Sequence, residues 1–349
     1  MAPHYTGMTT LRRIPALAAC VLAAASLALP ARAADTPPVP AFETPLHRDH
    51  PLVGTVYDVG AEEAVAPDAL ARAAAKARFV ILGERHDNPD HHALQAWVVR
   101  AMTAQGRTPA VAFEMIDQGQ APALEAYLND RPNDADGLGP AVNWEERGWP
   151  DWDNYRPIAE AALDARLPIL AANPSREETR TVGRQGFGAL DADRTAALGL
   201  DTPLPDAQRD QLLSELRAGH CNLMPKDAMG PMANVQRLRD AVMADTLIAG
   251  AETNRAGDDG AVLITGGGHA RADRAVPWYL RQRLDDPDVL VVRFLEVRPE
   301  VTDPAAYLPS RPDGAPRAYD VVWFTPANER GDPCAELKER MQGHGSGGE

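Results

Sequence analysis

The chain has 349 residues, of which 44% are hydrophobic and 24% are charged, and its formal net charge is −15. This composition is typical of a globular protein with one large or two ordinary domains, and it excludes a disordered chain. Proteins that bind nucleic acid need a basic field to displace counterions, so nucleic acid is not an expected partner.

The first 33 residues have the pattern of a secretory signal peptide. Arg12 and Arg13 precede an apolar run over 14–29, and the small residues of 31–33 form a cleavage site. We therefore predict cleavage near Ala33 and a periplasmic or exported protein.

The three cysteines are candidates for lipid attachment and for a disulfide bond. Residues 17–20 fit a bacterial lipobox, which would place a lipid on Cys20, but the apolar run continues past this cysteine. An outer-membrane lipoprotein is therefore the less favoured alternative. Cys221 and Cys334 are distant in sequence, and two such cysteines in an oxidising compartment most often form a disulfide bond.

A proline-rich linker or laid-down arm over 34–50 is followed by alternating strand and helix patterns. Continuous apolar runs predict buried strands at 78–82, 109–115, 168–172, 261–265, 289–297 and 319–324. Helical spacing predicts helices at 89–105, 119–128, 151–166, 205–218, 229–254 and 274–284. This alternation indicates an α/β fold with a mainly parallel sheet and helices on both faces.

The predicted α/β domain spans 51–330, and a C-terminal tail follows over 331–349. Within the domain, the stretch 175–255 has helical patterns without an intervening strand. We expect it to form a helical insertion that caps the core.

Two predicted strands lead directly into a G-x-x-H turn, at 83–86 and at 266–269. Ligands of open α/β sheets bind at the carboxyl ends of the strands. A further carboxylate ends the strand at 109–115, where a buried unpaired charge would be costly. We therefore predict one pocket for metal binding or acid–base chemistry. Its residues are Glu84, His86, Glu114 and His269.

The residues after the first G-x-x-H turn have the pattern of a helix N-terminus. Asp87 or Asn88 is the expected cap, and Pro89 is the expected first helical residue. His91 and His92 are adjacent on this helix and point to different sides, so at most one of them faces the site.

Two other clusters are candidates for ligand binding. In the helix at 229–254, Gln236 and Arg239 share a face with two methionines, and this pair suits an anionic group. Tyr155 lies close to three tryptophans, Trp144, Trp149 and Trp152. Such aromatic side chains either anchor a loop on the core or line a pocket for a flat ligand.

Several segments, in order along the chain, carry a resemblance to a known family. They are ILGERHDNPDHH, FEM, the tryptophan–tyrosine stretch 149–158, ILAANPSR, GHCNLMP, VQRLRDAVMA and ITGGGHARADRAVPWYL. Together they resemble the ChaN-like haem-binding uptake family of the Tiki and erythromycin-esterase-like superfamily, over about residues 50–325. The resemblance implies an α/β fold with a helical cap, export, and a role in haem or iron acquisition.

The resemblance also implies two alternative functions for the site. In the favoured hypothesis the protein binds haem and its iron, and its partners are haem, an outer-membrane haem or iron receptor, and a second copy in a homodimer. The candidate haem contacts are Arg85, Tyr155, His220, Gln236 and Arg239. In the alternative, a hydrolase uses a divalent metal ion or acid–base chemistry, because the superfamily's hydrolytic residues map onto Glu84, His86, Glu114 and His269.

Overall fold

An eight-stranded sheet lies at the centre of the computed structural model, which describes Met1 and residues 36–253, 259–311 and 314–345. The predicted signal peptide and lipobox lie outside the described residues. The strands are β1 Val56–Asp58, β2 Glu63–Val65, β3 Phe79–Glu84, β4 Ala110–Asp117, β5 Ile169–Asn173, β6 Ala261–Gly266, β7 Val289–Glu296 and β8 Val321–Thr325. Their order across the sheet is β2-β1-β8-β7-β3-β6-β4-β5.

The sheet is parallel from β8 to β5, and only β1 pairs in the antiparallel direction, with β2 and β8. The helices are α1 Pro67–Lys76, α2 Pro89–Ala104, α3 Ala121–Asp130, α4 Leu138–Ala141, α5 Trp152–Asp164, α6 Arg176–Gln185, α7 Ala192–Ala197, α8 Asp206–Gly219, α9 Met229–Thr253, α10 Val276–Arg283 and α11 Pro333–Gly345. The predicted α/β class and mainly parallel sheet are confirmed.

Helices cover both faces of the sheet, as predicted. Every residue of β3 is buried, because alternate side chains enter different cores. Val80 and Leu82 pack in the core formed with α1, α2 and α5, whereas Phe79 and Ile81 pack in the core formed with α9 and α10. A strand buried on both faces carries a continuous apolar run, which explains why β3 was recognisable.

The stretch predicted as a helical insertion contains α6 to α9 and no strand among its described residues. The long helix α9 lies directly on the sheet and contacts β4, β5 and β6. Its buried residues Leu238, Val242 and Leu247 belong to the same core as Phe79 and Ile81. This helix is therefore part of the layer that covers the sheet.

The segment before β3 was not predicted in detail, and it contains β1, β2 and α1. Both strands have only three residues, too few to show an alternating pattern. Residues 36–50 lie along the protein as an arm, where the Asp90 carboxylate accepts from the backbone N–H groups of Glu43 and Thr44. Trp97 Nε1 donates to the Pro37 carbonyl at 2.8 Å.

A disulfide bond joins Cys221, in the turn after α8, to Cys334 in α11, and the two Cα atoms are 5.5 Å apart. The predicted disulfide is present. None of the helices in the described part of the chain is both long and apolar enough to span a membrane.

The strand order places three carboxyl ends side by side. β6 lies between β3 and β4, although it follows both of them in the chain. Glu84 is opposite Gly266 in the β3–β6 register, and Phe113 is opposite Ile264 in the β4–β6 register. The two G-x-x-H turns and the end of β4 therefore meet at one edge of the sheet.

Candidate functional site

Glu84 ends β3 and is held by three side chains, although it is only 1% exposed. Its Oε1 accepts a hydrogen bond from the Tyr155 hydroxyl at 2.9 Å and lies 2.7 Å from His86 Nδ1. Its Oε2 lies 2.5 Å from His92 Nδ1. Burial raises the pKa of Glu84, but the charge of His92 and the bond with His86 outweigh burial and lower this pKa to about 2.

His86 has one ring nitrogen on Glu84 and the second beside Gly266. The ring packs on Trp149 with centroids 5.0 Å apart, and 33% of the side chain is exposed. A Cβ at Gly266 would lie 2.8 Å from His86 Nε2, so a larger residue at this position would force the imidazole to move. Nε2 has no hydrogen-bond partner among the described residues. Burial lowers the pKa of His86, but the hydrogen bond with Glu84 and the charge of Glu114 outweigh burial and raise this pKa.

Glu114 in β4 is 2% exposed and has partners for both oxygens. Oε2 accepts from the Thr265 hydroxyl at 2.6 Å and from the Gly266 N–H at 2.7 Å. Oε1 lies 3.3 Å from His269 Nε2. Burial raises the pKa of Glu114, but the charge of His269 and these bonds hold it well below its usual value.

His269 lies between two buried carboxylates. Its Nε2 faces Glu114, and its Nδ1 is 2.7 Å from Asp240 Oδ1 in α9. Burial lowers the pKa of His269, but the charges of Glu114 and Asp240 raise it to about 10. The imidazole is therefore a cation at neutral pH. Glu84, His86, Glu114 and His269 lie together around Gly266, at the edge where the sequence placed them.

Asp240 and Thr265 also belong to this cluster, and neither was predicted from the sequence. Asp240 lies four residues after Gln236 and so on the same face of α9, which is a signal that was available. Of the two adjacent histidines, His92 contacts Glu84, whereas His91 is 2.9 Å from Thr325 Oγ1. Asn88 is the helix cap and accepts from the backbone N–H of Asp90.

The prediction of a divalent metal site is not supported. Among the residues that the structure describes, no group of three histidine, cysteine, aspartate or glutamate side chains is placed to hold a metal ion. The physical reason is that each carboxylate already has its own partners. Glu84 is held by Tyr155, His86 and His92, and Glu114 faces His269 and two donors of β6.

The candidate haem contacts fall into two groups. Arg85 is about half exposed and pairs with Asp87 at 3.3 Å, and Tyr155 is fully buried against Glu84. Burial and the charge of Glu84 raise the pKa of Tyr155 far above its usual value. By contrast, His220, Gln236 and Arg239 come together in one groove.

This groove, hereafter the His220 groove, has a volume of about 320 Å³ and lies between α6, α8 and α9. Its lining residues are Gly183, Leu216, His220, Pro231, Met232, Val235, Gln236 and Arg239. A second pocket of about 280 Å³, hereafter the arginine pocket, shares Arg239 with it. The arginine pocket is also lined by Met115, Asp117, Arg147, Trp149, Asn173, Pro174, Arg176, Thr179 and Arg180.

A family model described as haem-binding uptake, Tiki superfamily, ChaN matches residues 70–280. The chain belongs to this ChaN family. The resemblance drawn from the sequence motifs is thereby confirmed, and the family is one of haem-binding uptake proteins. No curated protein is significantly similar to the chain.

Solved structures are similar to this ChaN-family chain to different degrees. One, "Cofacial heme binding to ChaN of Campylobacter jejuni", has a TM-score of 0.58 and 20% sequence identity, and the match covers 77% of this chain and 95% of that one. The type III effector HopBA1 matches with a TM-score of 0.40 and 15% identity, over 80% of this chain and 99% of that one. A mutant of the erythromycin esterase EreC, in its open conformation, matches with a TM-score of 0.35 and 14% identity, over 66% of this chain and 72% of that one.

Trp149 connects the polar cluster of this ChaN-family member to the arginine pocket. Its ring packs on His86, its Nε1 donates to the Met115 carbonyl at 2.9 Å, and it lines the pocket. Of the two alternatives for this aromatic cluster, Trp149 lines a pocket, whereas Trp144 and Trp152 are buried and anchor the loop. Neither the geometry nor the comparisons favour hydrolysis over haem binding.

Proposed function

We propose that the protein binds haem in the His220 groove and serves in haem or iron uptake. The family to which the chain belongs supports this proposal, and so does the Campylobacter jejuni ChaN structure, which is described as one of cofacial haem binding. The observation that carries the proposal is the position of His220 on a groove that combines apolar side chains with an arginine.

His220 has the arrangement expected of a metal-binding histidine. Its Nδ1 lies 2.7 Å from the Leu216 carbonyl, so Nδ1–H donates to this oxygen and Nε2 carries the free lone pair. A hydrogen bond from one ring nitrogen to a carbonyl fixes the tautomer and the ring orientation of a histidine ligand. When bound, haem supplies an iron that accepts such a nitrogen.

The other residues of the groove fit the rest of the haem molecule. Met232 and Val235 offer apolar contact to a flat ring, as in most small-molecule sites. Arg239 Nε is buried and has no hydrogen-bond partner within the described structure. A propionate carboxylate would supply this partner. Gln236 lines the same groove, and its Nε2 lies 3.1 Å from His269 Nδ1, so it connects the groove to the polar cluster.

The signal-peptide pattern of residues 1–33 supports export to the periplasm. Haem would then reach the protein from an outer-membrane haem or iron receptor, which is the proposed partner. Cofacial binding places two haems face to face, so we propose a homodimer in which each subunit contributes one groove.

The test is a haemin titration of the mature protein, followed by the Soret band. We expect saturable binding, and His220→Asn is expected to weaken it about tenfold or more because the iron loses its nitrogen ligand. His47→Asn is the matched control, since His47 is exposed on the arm. No spectral change with the unaltered protein would overturn the function, and equal affinity of both variants would overturn the assignment of His220.

The variant Tyr155→Phe tests whether Tyr155 has a structural role or binds the haem iron. We expect the Soret spectrum with haemin to stay unchanged, because the hydroxyl is buried against Glu84. The free energy of unfolding should fall by about 1.5–3 kcal/mol, the usual contribution of a hydrogen bond to a charged group. Urea denaturation measures this loss. A shifted Soret band with unchanged stability is the opposite result and would identify Tyr155 as an iron ligand.

A further inference from the structure

We propose that the arginine pocket is the site for the two propionate carboxylates of haem, an inference that rests on the proposed haem-binding function. Four arginines line this pocket: Arg147, Arg176, Arg180 and Arg239. They come from the turn before α5, from α6 and from α9, so the fold brings them together from three separate parts of the chain.

The pocket is strongly positive in a chain whose formal net charge is −15. Its one acidic residue is Asp117, and this carboxylate is already paired with Arg147 at 2.7 Å. Arg176, Arg180 and Arg239 have no carboxylate within salt-bridge distance among the described residues. A ligand that carries two carboxylates would balance this charge, and guanidinium groups bind carboxylates through two parallel hydrogen bonds.

Buried polar atoms point to a ligand in the same place. Asn173 is 6% exposed and lines the pocket, its Nδ2 donates to the Glu114 carbonyl at 2.9 Å, and its Oδ1 has no partner within the described structure. Arg239 Nε is likewise buried and unpaired among the described residues. Buried polar atoms without partners are rare and destabilising. A bound carboxylate would accept a hydrogen bond from Arg239 Nε. An ordered water or a carboxyl proton would donate one to Asn173 Oδ1, so both buried atoms would then have partners.

The position of the pocket relative to the His220 groove suits one haem molecule. On α6, Arg176 and Arg180 line the pocket and Gly183 lines the groove, so residues at i, i+4 and i+7 form one continuous face. Seven residues of helix span roughly 10 Å. Arg239 lines both spaces, so a ring in the groove can extend the carboxylates at its edge into the pocket.

The experiment compares haemin with haemin dimethyl ester, in which both carboxylates are esterified. We expect the full mature chain to bind haemin about tenfold or more tightly than the ester. The double variant R176Q/R180Q should bind haemin about tenfold more weakly than the unaltered protein, and its affinity for the ester should be unchanged. Arg184→Gln is the matched control, because Arg184 lies on the same helix outside the pocket and should change neither affinity.

Two results would overturn the inference while leaving haem binding intact. The first is equal affinity of the unaltered protein for haemin and its ester. The second is an R176Q/R180Q variant that binds haemin as tightly as the unaltered protein, or that loses affinity for both ligands equally. Inorganic phosphate should compete with haemin only weakly, and strong competition would assign the pocket to a free anion. Absence of any haemin binding would instead reject the proposed function itself.

Discussion

The double variant C221S/C334S is expected to lower the free energy of unfolding by roughly 3–5 kcal/mol. The disulfide joins residues 113 positions apart, so in the unfolded chain it closes a long loop and removes much conformational freedom. Serine keeps the size of the side chain and removes the covalent link. Denaturant unfolding curves of the oxidised wild-type protein and the variant measure the difference.

Reductant provides the control for this prediction. Under reducing conditions the wild-type curve should move to that of the C221S/C334S variant, and the variant's own curve should not move. Coincident curves for the oxidised wild type and the variant would contradict a stabilising disulfide.

His269→Ala is expected to lower the free energy of unfolding by about 3–5 kcal/mol at neutral pH, the usual effect of removing one member of a buried ion pair. It leaves Glu114 and Asp240 buried without the cation between them. The variant should recover stability as the pH falls, because the two carboxyl groups can then bind protons. The matched control is His47→Asn, whose side chain is exposed.

Because His269 is charged in the folded protein, we expect the stability of the wild-type protein to depend on pH. The pKa of His269 is raised from 6.5 to about 10 in the folded state, so its stabilising contribution is complete below pH 6.5 and is lost as the pH rises through 10. Thermal unfolding from pH 6.5 to 10 should show wild-type stability falling. His269→Ala should lack this slope, and an equal slope in both proteins would contradict a charged His269.

The fold class followed from local patterns in the sequence. β3, β4 and β6 are buried almost completely, so each begins with a short apolar run that is typical of a strand buried on both faces. The short strands β1 and β2 lacked such a signal, because β2 is mostly exposed and each has three residues.

The position of the polar site could also be predicted from the sequence. Glu84, His86 and His269 lie in G-x-x-H turns directly after buried strands, and Glu114 lies within the end of another. Carboxyl ends of parallel strands lie at the same edge of a sheet, so the sequence placed these residues at one edge, and the strand order then made them neighbours.

The partners of these residues were decided only by the tertiary structure. Glu114 accepts from a backbone N–H 152 residues away, and it does so because β6 lies between β3 and β4, an order that no local pattern encodes. Asp240 reaches His269 because α9 packs across the same strands. The arginine pocket likewise depends on how α6 and α9 pack, since each of its arginines alone resembles an ordinary surface charge. Sequence periodicity fixes which face of an element is buried, whereas contacts between distant elements depend on how all of them pack together.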